Sequence, residues 1–425
     1  MSGNIRWYPK GRKGRTVSCV LSQRRKKRGG TSVQPVWRMY FYTPIRNEVK
    51  RMREEWKHQI CSPLFWGILI GSILVNTWIL ANFRGQRDLV KRSREVWEQV
   101  QLPVSEETAR IYLDMLEPTE KKETGVPTFR QMMEGTLYML RELDGESLAD
   151  AFSSSLMLDG RAEDYVREEY GKLETVLEKN RENGTAAGFF VPCSRSFFEL
   201  FSRWIPLSCT LESILAGILL MMHSVSETFT TGTAAVVYAT KAGRRIQDSR
   251  RRAAAALGIL FTVCIWSVTL LGACAVFPLG SLWKTLVGSM MLLDSFFPMI
   301  SRIPLTAAGY LGAEFLISLF TALLFSYMSF SPVTRNKNSF ASFVQLGMGC
   351  AVVYTVTSLF PKDSRFYFTM QYNPVDLAGK AGHWMVSGGT FFSPQHYEVL
   401  VLLLWGVVAG AAAYAARRKF LAEDL

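Results

Sequence analysis

The sequence predicts an all-α membrane protein that crosses the bilayer six times and has both termini in the cytoplasm. Two observations lead to this fold class. First, 48% of the 425 residues are hydrophobic, and they fall in blocks of the ~20 residues that a helix needs to cross a bilayer. Second, strongly basic loops alternate with acidic or nearly neutral ones, as cytoplasmic and external loops do.

Residues 1–43 have the composition of a disordered, basic cytoplasmic tail. The first 60 residues hold 16 Lys and Arg against three acidic residues, so the whole formal charge of +13 lies there. Because this charge stops at an apolar block, it indicates orientation and contact with membrane lipid, and it argues against nucleic-acid binding. We expect residues 1–38 to be dispensable. Met1 and Met39 both remain open as the start of translation.

An amphipathic helix is predicted over residues 44–61, just before the first apolar block. Its apolar residues recur at steps of three and four, which places them on one face of a helix. The opposite face is basic, so the helix suits the cytoplasmic surface of a membrane. The apolar stripe consists of Ile45, Val49, Met52, Trp56 and Ile60.

The first transmembrane helix occupies residues 62–83, and five more lie within residues 204–425. Each is a long apolar block with at most one carboxylate. The six predicted spans are Pro63–Phe83, Trp204–Met222, Ala253–Phe277, Ile303–Phe330, Phe340–Phe360 and Val399–Ala416.

The orientation of these spans follows from where the basic residues fall. Lys and Arg cluster before the first span, in the loop between the second and third, after the fourth and at the end. Cytoplasmic loops are enriched in these residues, so the N-terminus and the C-terminus are both placed inside. The segment Ser281–Ile300 is apolar, but Lys284 and Asp294 argue against a seventh span. We predict an external interfacial helix there.

Residues 84–203 form a long external segment between the first and second spans, and we predict a helical domain. It carries 17 basic and 23 acidic side chains, as expected of an external region. Two runs of apolar residues have helical spacing. They are Phe129, Met133, Leu137 and Leu140, and then Val166, Tyr170, Leu173 and Leu177.

The usual signatures of an enzyme are missing from the sequence. It contains no HExxH, CxxC or GxSxG motif, and the pair Gly379–Lys380 lacks the other residues of a phosphate-binding Walker loop. The Cys and His residues are too scattered to suggest a metal site. We therefore expect no catalytic residue, no metal and no cofactor on this chain.

The most informative segment is the predicted cytoplasmic loop over residues 224–252, SVSETFTTGTAAVVYATKAGRRIQDSRRR. It resembles the E-x3-sTG-x4-iySTk-x-GR pattern of type-2 ATP-binding-cassette exporter permeases of Gram-positive bacteria, of the clostridial type. Ala239 stands where that family usually has Ser. The matching residues are Glu227, Thr231, Gly232, Tyr238, Thr240, Lys241, Gly243 and Arg244.

The resemblance extends over about residues 44–425. KNSFASFVQLG, after the fourth span, resembles the family's turn into its fifth span, and Pro374 lies in the family's usual external loop. The resemblance implies a permease in the bacterial cytoplasmic membrane, paired with a second permease as a homodimer or a heterodimer. It also implies a separate ATPase subunit, which holds ATP and Mg²⁺ and docks on the 224–252 loop.

The residues of that loop independently favour contact with a partner. A short helix from Thr231 or Gly232 to Tyr238, flanked by charges, offers an apolar knob that suits a groove. We therefore expect Glu227→Ala and Tyr238→Ala to weaken ATPase binding without destabilising the chain. Arg250 is expected to act as a rim charge of little consequence.

Glu212 and Glu314 are the only carboxylates well inside predicted spans. Charge in the membrane is costly, so both are candidates for a transport pathway. The alternatives are access of Glu212 to interfacial water and a plain hydrogen bond from Glu314 to a neighbouring helix.

Two further functions remain open alongside an exporter permease. One is a membrane sensor or scaffold whose 84–203 domain binds an external ligand, and the other is an intramembrane enzyme. Short cytoplasmic segments argue against a sensor, and the absence of repeated halves argues against a secondary transporter. The exporter's substrate stays open among peptides, antimicrobial agents and lipids.

Overall fold

A computed structural model describes residues 52–100, 144–182, 197, 199–239, 241–284, 299–303, 305–361, 364–388 and 394–423. This part of the chain is mostly helical. Six of its helices are long and apolar enough to cross a membrane. The basic tail over 1–43 and the first part of the predicted amphipathic helix lie outside the described residues.

The first spanning helix follows directly on a short amphipathic helix. Helix α1 covers residues 52–60, inside the predicted 44–61 helix, and α2 is Pro63–Asn82. Between them Ser62 caps α2, accepting a hydrogen bond from the Leu64 amide at 3.2 Å. Pro63 takes the first helical position, where its missing N–H costs nothing. Helix α3, Arg87–Val100, follows α2.

The second and third spanning helices are longer than hydropathy predicts. The second is α6, Ile205–Thr230, with a π-helical turn, Leu200–Trp204, at its start. Helix α9, Ile246–Val276, begins well before the predicted Ala253. Between them lie two short helices, α7 (Ala234–Tyr238) and α8 (Lys241–Arg244). The short helix predicted to end near Tyr238 within the 224–252 segment is confirmed by α7. The loop itself is shorter than predicted, because α6 and α9 continue beyond their apolar parts into charged and polar residues.

The last three spanning helices are α10 (Ala307–Asn336), α11 (Ser339–Leu359) and α14 (Tyr397–Ala422). Asn338 caps α11, its side-chain oxygen accepting a hydrogen bond from the Ala341 amide at 3.0 Å. Lys337, with φ 57°, makes the tight turn from α10 into α11.

The six helices alternate in direction, and one end of the bundle is rich in Arg. At this end the Arg417 guanidinium donates two hydrogen bonds to the Asp248 carboxylate, at 2.7 and 2.8 Å. Lys337 binds Glu423 there at 3.1 Å. We call it the basic end. The opposite end carries two helices of the 84–203 segment, α4 (Gly145–Leu156) and α5 (Gly160–Glu182), and is called the insert end.

The core lies where α6, α9 and α10 pack together. Small residues allow close approach: a Cβ built on Gly217 of α6 would lie 3.2 Å from the Ala322 carbonyl oxygen of α10. Trp266 is fully buried and donates a hydrogen bond from its indole N–H to the Ser318 hydroxyl at 3.1 Å. Phe261 and Ile265 complete the same face of α9.

The described part of the 84–203 segment includes a helical pair, α4 (Gly145–Leu156) and α5 (Gly160–Glu182). The predicted spacing of Val166, Tyr170 and Leu173 is confirmed, since all three are buried on one face of α5. The earlier run, from Phe129 to Leu140, lies outside the described residues. A later helix, α12 (Arg365–Met370), packs its Phe368 into the same core.

The segment 281–300, predicted as an interfacial helix, is described only at its ends. A 3₁₀ turn covers Gly280–Lys284, and strand β1 covers Met299–Ser301, so the helix prediction is wrong at its C-terminal end. Strand β1 pairs antiparallel with β2, Val386–Gly388. Helix α13, Pro374–Gly379, lies between α12 and β2.

Candidate functional site

The predicted partner-binding segment forms an exposed turn at the basic end. Gly232 has φ 70°, which only glycine adopts without strain, and it lets the chain reverse directly after α6. The amide of Thr233 then donates back to the Thr228 carbonyl at 3.0 Å. Helix α7 follows, and its Val236 is 84% exposed. We call residues 231–236 the tip.

Tyr238 forms the base of the tip and is fully buried. Its ring packs between Phe229 and Phe420, with centroid distances of 5.5 and 5.2 Å. Its hydroxyl bonds the Thr228 hydroxyl and accepts a hydrogen bond from the Gln247 amide at 2.6 Å. The prediction that Tyr238 is a surface contact is therefore wrong, because these packing and hydrogen-bonding partners lie inside the chain.

Glu227 is also turned toward its own chain. Its carboxylate lies 3.2 Å from the Arg250 guanidinium and 3.6 Å from the His58 ring nitrogen. Arg250 also pairs with Glu55 of α1 at 3.3 Å and is itself buried. Arg250 is thus not the rim charge that the sequence suggested, because it joins α1, α6 and α9.

A second contact ties α1 to the bundle at the same level. The side-chain amide of Gln59 donates to the Ser224 hydroxyl, which in turn donates to the Arg250 carbonyl at 3.4 Å. Gln247 also donates to the Val225 carbonyl at 3.1 Å. The helix ends at the basic end therefore form one connected structure beneath the tip.

The other predicted contact residues divide between the tip and its base. Thr231 and Gly232 are exposed on the tip. Arg244 is partly buried and donates to the carbonyls of Tyr238 and Leu421, both at 3.2 Å. Gly243 is partly buried in α8. Thr240 and the side chain of Lys241 lie outside the described residues.

Val236 and Gln247 were not singled out from the sequence. The run AAVVY did predict an apolar knob, and Val236 is its exposed side chain. No local pattern distinguishes it from Tyr238. Tyr238 is buried and Val236 is exposed because Phe420, near the C-terminus of the chain, packs over the Tyr238 ring.

Glu212 lies between α2 and α6 in a small polar cluster. Its carboxylate accepts a hydrogen bond from the Asn76 amide at 2.7 Å, and the Asn76 oxygen accepts one from the Ser208 hydroxyl at 2.8 Å. The second carboxylate oxygen, Oε1, is buried and has no hydrogen-bond partner within the described residues. The structure thus surrounds Glu212 with neutral polar groups in an apolar region.

Glu314 lies near the insert end, two turns into α10, and is fully buried. Its carboxylate accepts a hydrogen bond from the Gly382 amide at 3.2 Å, and the Gly382 carbonyl accepts one from the Tyr310 hydroxyl at 2.8 Å. Both backbone polar groups of Gly382, its N–H and its C=O, are therefore held by α10. This arrangement is the plain hydrogen bond considered above, although it is made to a turn rather than to a neighbouring helix. Glu212 and Glu314 belong to separate clusters.

The turn around Gly382 is held in a network of buried polar groups at the insert end. Arg302 donates to the carbonyls of Pro394 and Val386, at 2.6 and 3.3 Å. Glu398 accepts from the Met385 amide at 2.8 Å. Burial lowers the pKa of Lys380 to about 8, with the nearby Asp376 opposing that change.

We predict that the stability of this turn falls in acid because of His383. Burial, followed by the Arg203 charge, lowers the pKa of His383 from 6.5 to about 4, so the unfolded chain binds more protons between these values. Stability from this group should be full above pH 6.5 and fall by about 3 kcal/mol by pH 4. Thermal unfolding in detergent at pH 4.5 to 8 measures this pH dependence of stability. His383→Gln should have a flatter pH dependence than the wild type, and parallel curves would contradict the prediction.

Within the described residues, no three His, Cys, Asp or Glu side chains come together as metal ligands would. The tip with its base is a candidate contact surface, and the Glu212 cluster is a candidate polar site between spanning helices. No protein-family model, curated protein or solved structure matches this chain.

Proposed function

We propose that this chain is the permease subunit of an ATP-driven exporter in the bacterial cytoplasmic membrane. A separate ATPase subunit binds the tip, holds ATP and Mg²⁺ and performs the hydrolysis. The observation that carries the proposal is an exposed apolar residue, Val236, on a rigid base joined to several spanning helices. The resemblance of the 224–252 segment to exporter permeases supports the same function.

The base of the tip gives the partner a mechanical connection to the bundle. Tyr238 joins the tip to α6 through Thr228, to α9 through Gln247 and to α14 through Phe420. A partner that holds the tip differently in two states therefore changes the relative stability of two arrangements of these helices. Arg250 extends the connection to α1.

The transport pathway in this proposal passes the Glu212 cluster. Spanning helices bury polar side chains only at a cost, and Glu212 has no ion-pair partner among the residues described. We assign Glu314 a structural role in this proposal, and its hydrogen bond with the Gly382 turn supports that assignment. Peptides, antimicrobial agents and lipids remain the substrate classes, and the second permease is either an identical copy or a homologue.

Val236→Asp should weaken ATPase binding by about thirtyfold while leaving thermal stability unchanged. Replacing a central apolar anchor costs ~2 kcal/mol or more at an interface, and a fully exposed side chain contributes little to folding. The measurement is retention of the ATPase encoded beside this gene during co-purification, together with ATP hydrolysis by the complex.

The control is Met157→Asp, an equivalent substitution at a residue that is 88% exposed at the insert end. It should leave ATPase retention unchanged. Equal retention in both variants would contradict the proposed contact. If the wild type retained no ATPase, the sensor or scaffold function would be favoured instead.

A further inference from the structure

An apolar groove runs between α10 and α14. Its volume is about 580 Å³. Its walls are aliphatic and aromatic side chains, and its floor is made by small residues of α14. The residues that define it are Leu316, Phe320, Tyr327, Leu403, Gly406 and Gly410.

The groove exists because two glycines leave space that no neighbour fills. A Cβ built on Gly406 or on Gly410 would meet no atom within 4 Å. In spanning helices, glycines at this i, i+4 spacing usually let another helix approach closely. Here α10 packs against α14 elsewhere, so the space at the glycines stays open.

The length of the groove matches one leaflet of a membrane. It runs from Leu316 to Tyr327 along α10, twelve residues whose ends are about 16 Å apart along the helix. It covers the same length along α14, from Val399 to Gly410. One leaflet has about 15 Å of hydrocarbon, half of the ~30 Å core. Both helices are long and apolar enough to span a bilayer, so alkyl chains would be the surrounding medium.

A positive charge lies beside Tyr327, the residue of α10 that lines the groove nearest the basic end. The Arg251 guanidinium lies 5.8 Å from the centre of the Tyr327 ring and 5.2 Å from that of Phe330. Asp248 approaches Arg251 only to 3.9 Å, because its carboxylate binds Arg417 at 2.7 and 2.8 Å. The Nε atom of Arg251 is buried and has no hydrogen-bond partner in the part of the chain that the structure describes.

We propose that this groove binds one anionic phospholipid, with an acyl chain between α10 and α14 and the phosphate head group at Arg251. The alkyl chain fills a space of matching length and chemistry. The head group supplies acceptor oxygens to a guanidinium, the pairing that arginine favours. This site is independent of the proposed contact with an ATPase.

A second copy of the chain fits the groove less well. A symmetric pair in one membrane would place its two basic ends at the same depth. The C-terminal turn of α14 carries Arg418 and Lys419, both exposed, so copies that met through α14 would bring like charges near Arg251. An anionic lipid in the groove would instead bring a negative charge to Arg251, so no such repulsion arises.

The test is native mass spectrometry of the full chain, purified in detergent with equal amounts of phosphatidylglycerol and phosphatidylcholine. The wild type should retain one phosphatidylglycerol about fivefold more than phosphatidylcholine, the preference expected from one basic residue at a membrane surface. Arg251→Gln should remove this preference while retention of lipid continues. Gly406→Leu, which fills the groove, should reduce retention of both lipids by roughly tenfold.

Matched controls separate the groove from general effects. Arg252→Gln removes an adjacent exposed charge, and Gly347→Leu adds a side chain at an equally open glycine on α11. Both should behave as the wild type. Equal retention of the two lipids by the wild type, or unchanged retention in Gly406→Leu, overturns the proposal. A protein dimer that Gly406→Leu separates, with lipid retention unchanged, would assign the groove to a second copy.

Discussion

Gly382→Ala should destabilise the chain by about 3 kcal/mol or more, a large effect for the addition of one methyl group. Gly382 has φ 86°, in the region that side chains disfavour. A Cβ there would also lie 2.2 Å from the Ser202 carbonyl oxygen and 2.9 Å from the Arg203 Cα, both backbone atoms with little freedom to move. The thermal midpoint in detergent should fall by several degrees.

The control lies three residues earlier. Gly379 ends α13, and a Cβ on it would meet no atom within 4 Å, so Gly379→Ala should be neutral or slightly stabilising. If both variants unfolded at the same temperature, this would contradict the close approach of the Gly382 turn to the residues just before α6.

Tyr238→Ala should destabilise the basic end by about 3–5 kcal/mol, the usual cost of removing a buried aromatic side chain. It takes away the ring that packs against Phe229 and Phe420 and the hydroxyl that accepts from Gln247. Tyr238→Phe keeps the ring and should cost only about 1 kcal/mol. Thermal unfolding with purified variants distinguishes the two.

This expectation reverses the one drawn from sequence, in which Tyr238→Ala weakens a partner contact and leaves the fold intact. Val236→Asp is now the variant expected to weaken the partner contact and leave the fold intact. A stable Tyr238→Ala variant that binds no ATPase would restore the original assignment and contradict the buried position of the ring.

The six spanning helices could be predicted from sequence because hydropathy depends on composition alone. Their ends could not. The Arg and Lys residues near Arg250 and Arg417 mark where a helix leaves hydrocarbon, yet the backbone stays helical past them. Where a helix stops depends on local turn geometry, such as the left-handed residues Gly232 and Lys337, which charge and hydropathy do not reveal.

The roles of individual site residues were harder to predict, because their partners lie far away in the chain. Glu314 accepts a hydrogen bond from the Gly382 amide, 68 residues later. Arg250 is paired with Glu55, which precedes the first span. A carboxylate in an apolar run or an arginine in a basic run carries no local sign of such a partner. From sequence alone, a pathway role and a plain hydrogen bond therefore both stayed open for Glu314, and Arg250 was expected at the surface.

The helix from Leu200 to Thr230 has a further consequence because it continues without a break from the insert end to the tip. Its 31 residues measure about 46 Å, well beyond the ~30 Å of hydrocarbon. In the proposed exporter, it would act as a lever that pivots inside the bilayer. A tilt of about 10° around its midpoint moves each end by about 4 Å in opposite directions, and no hydrogen bond within the helix has to break.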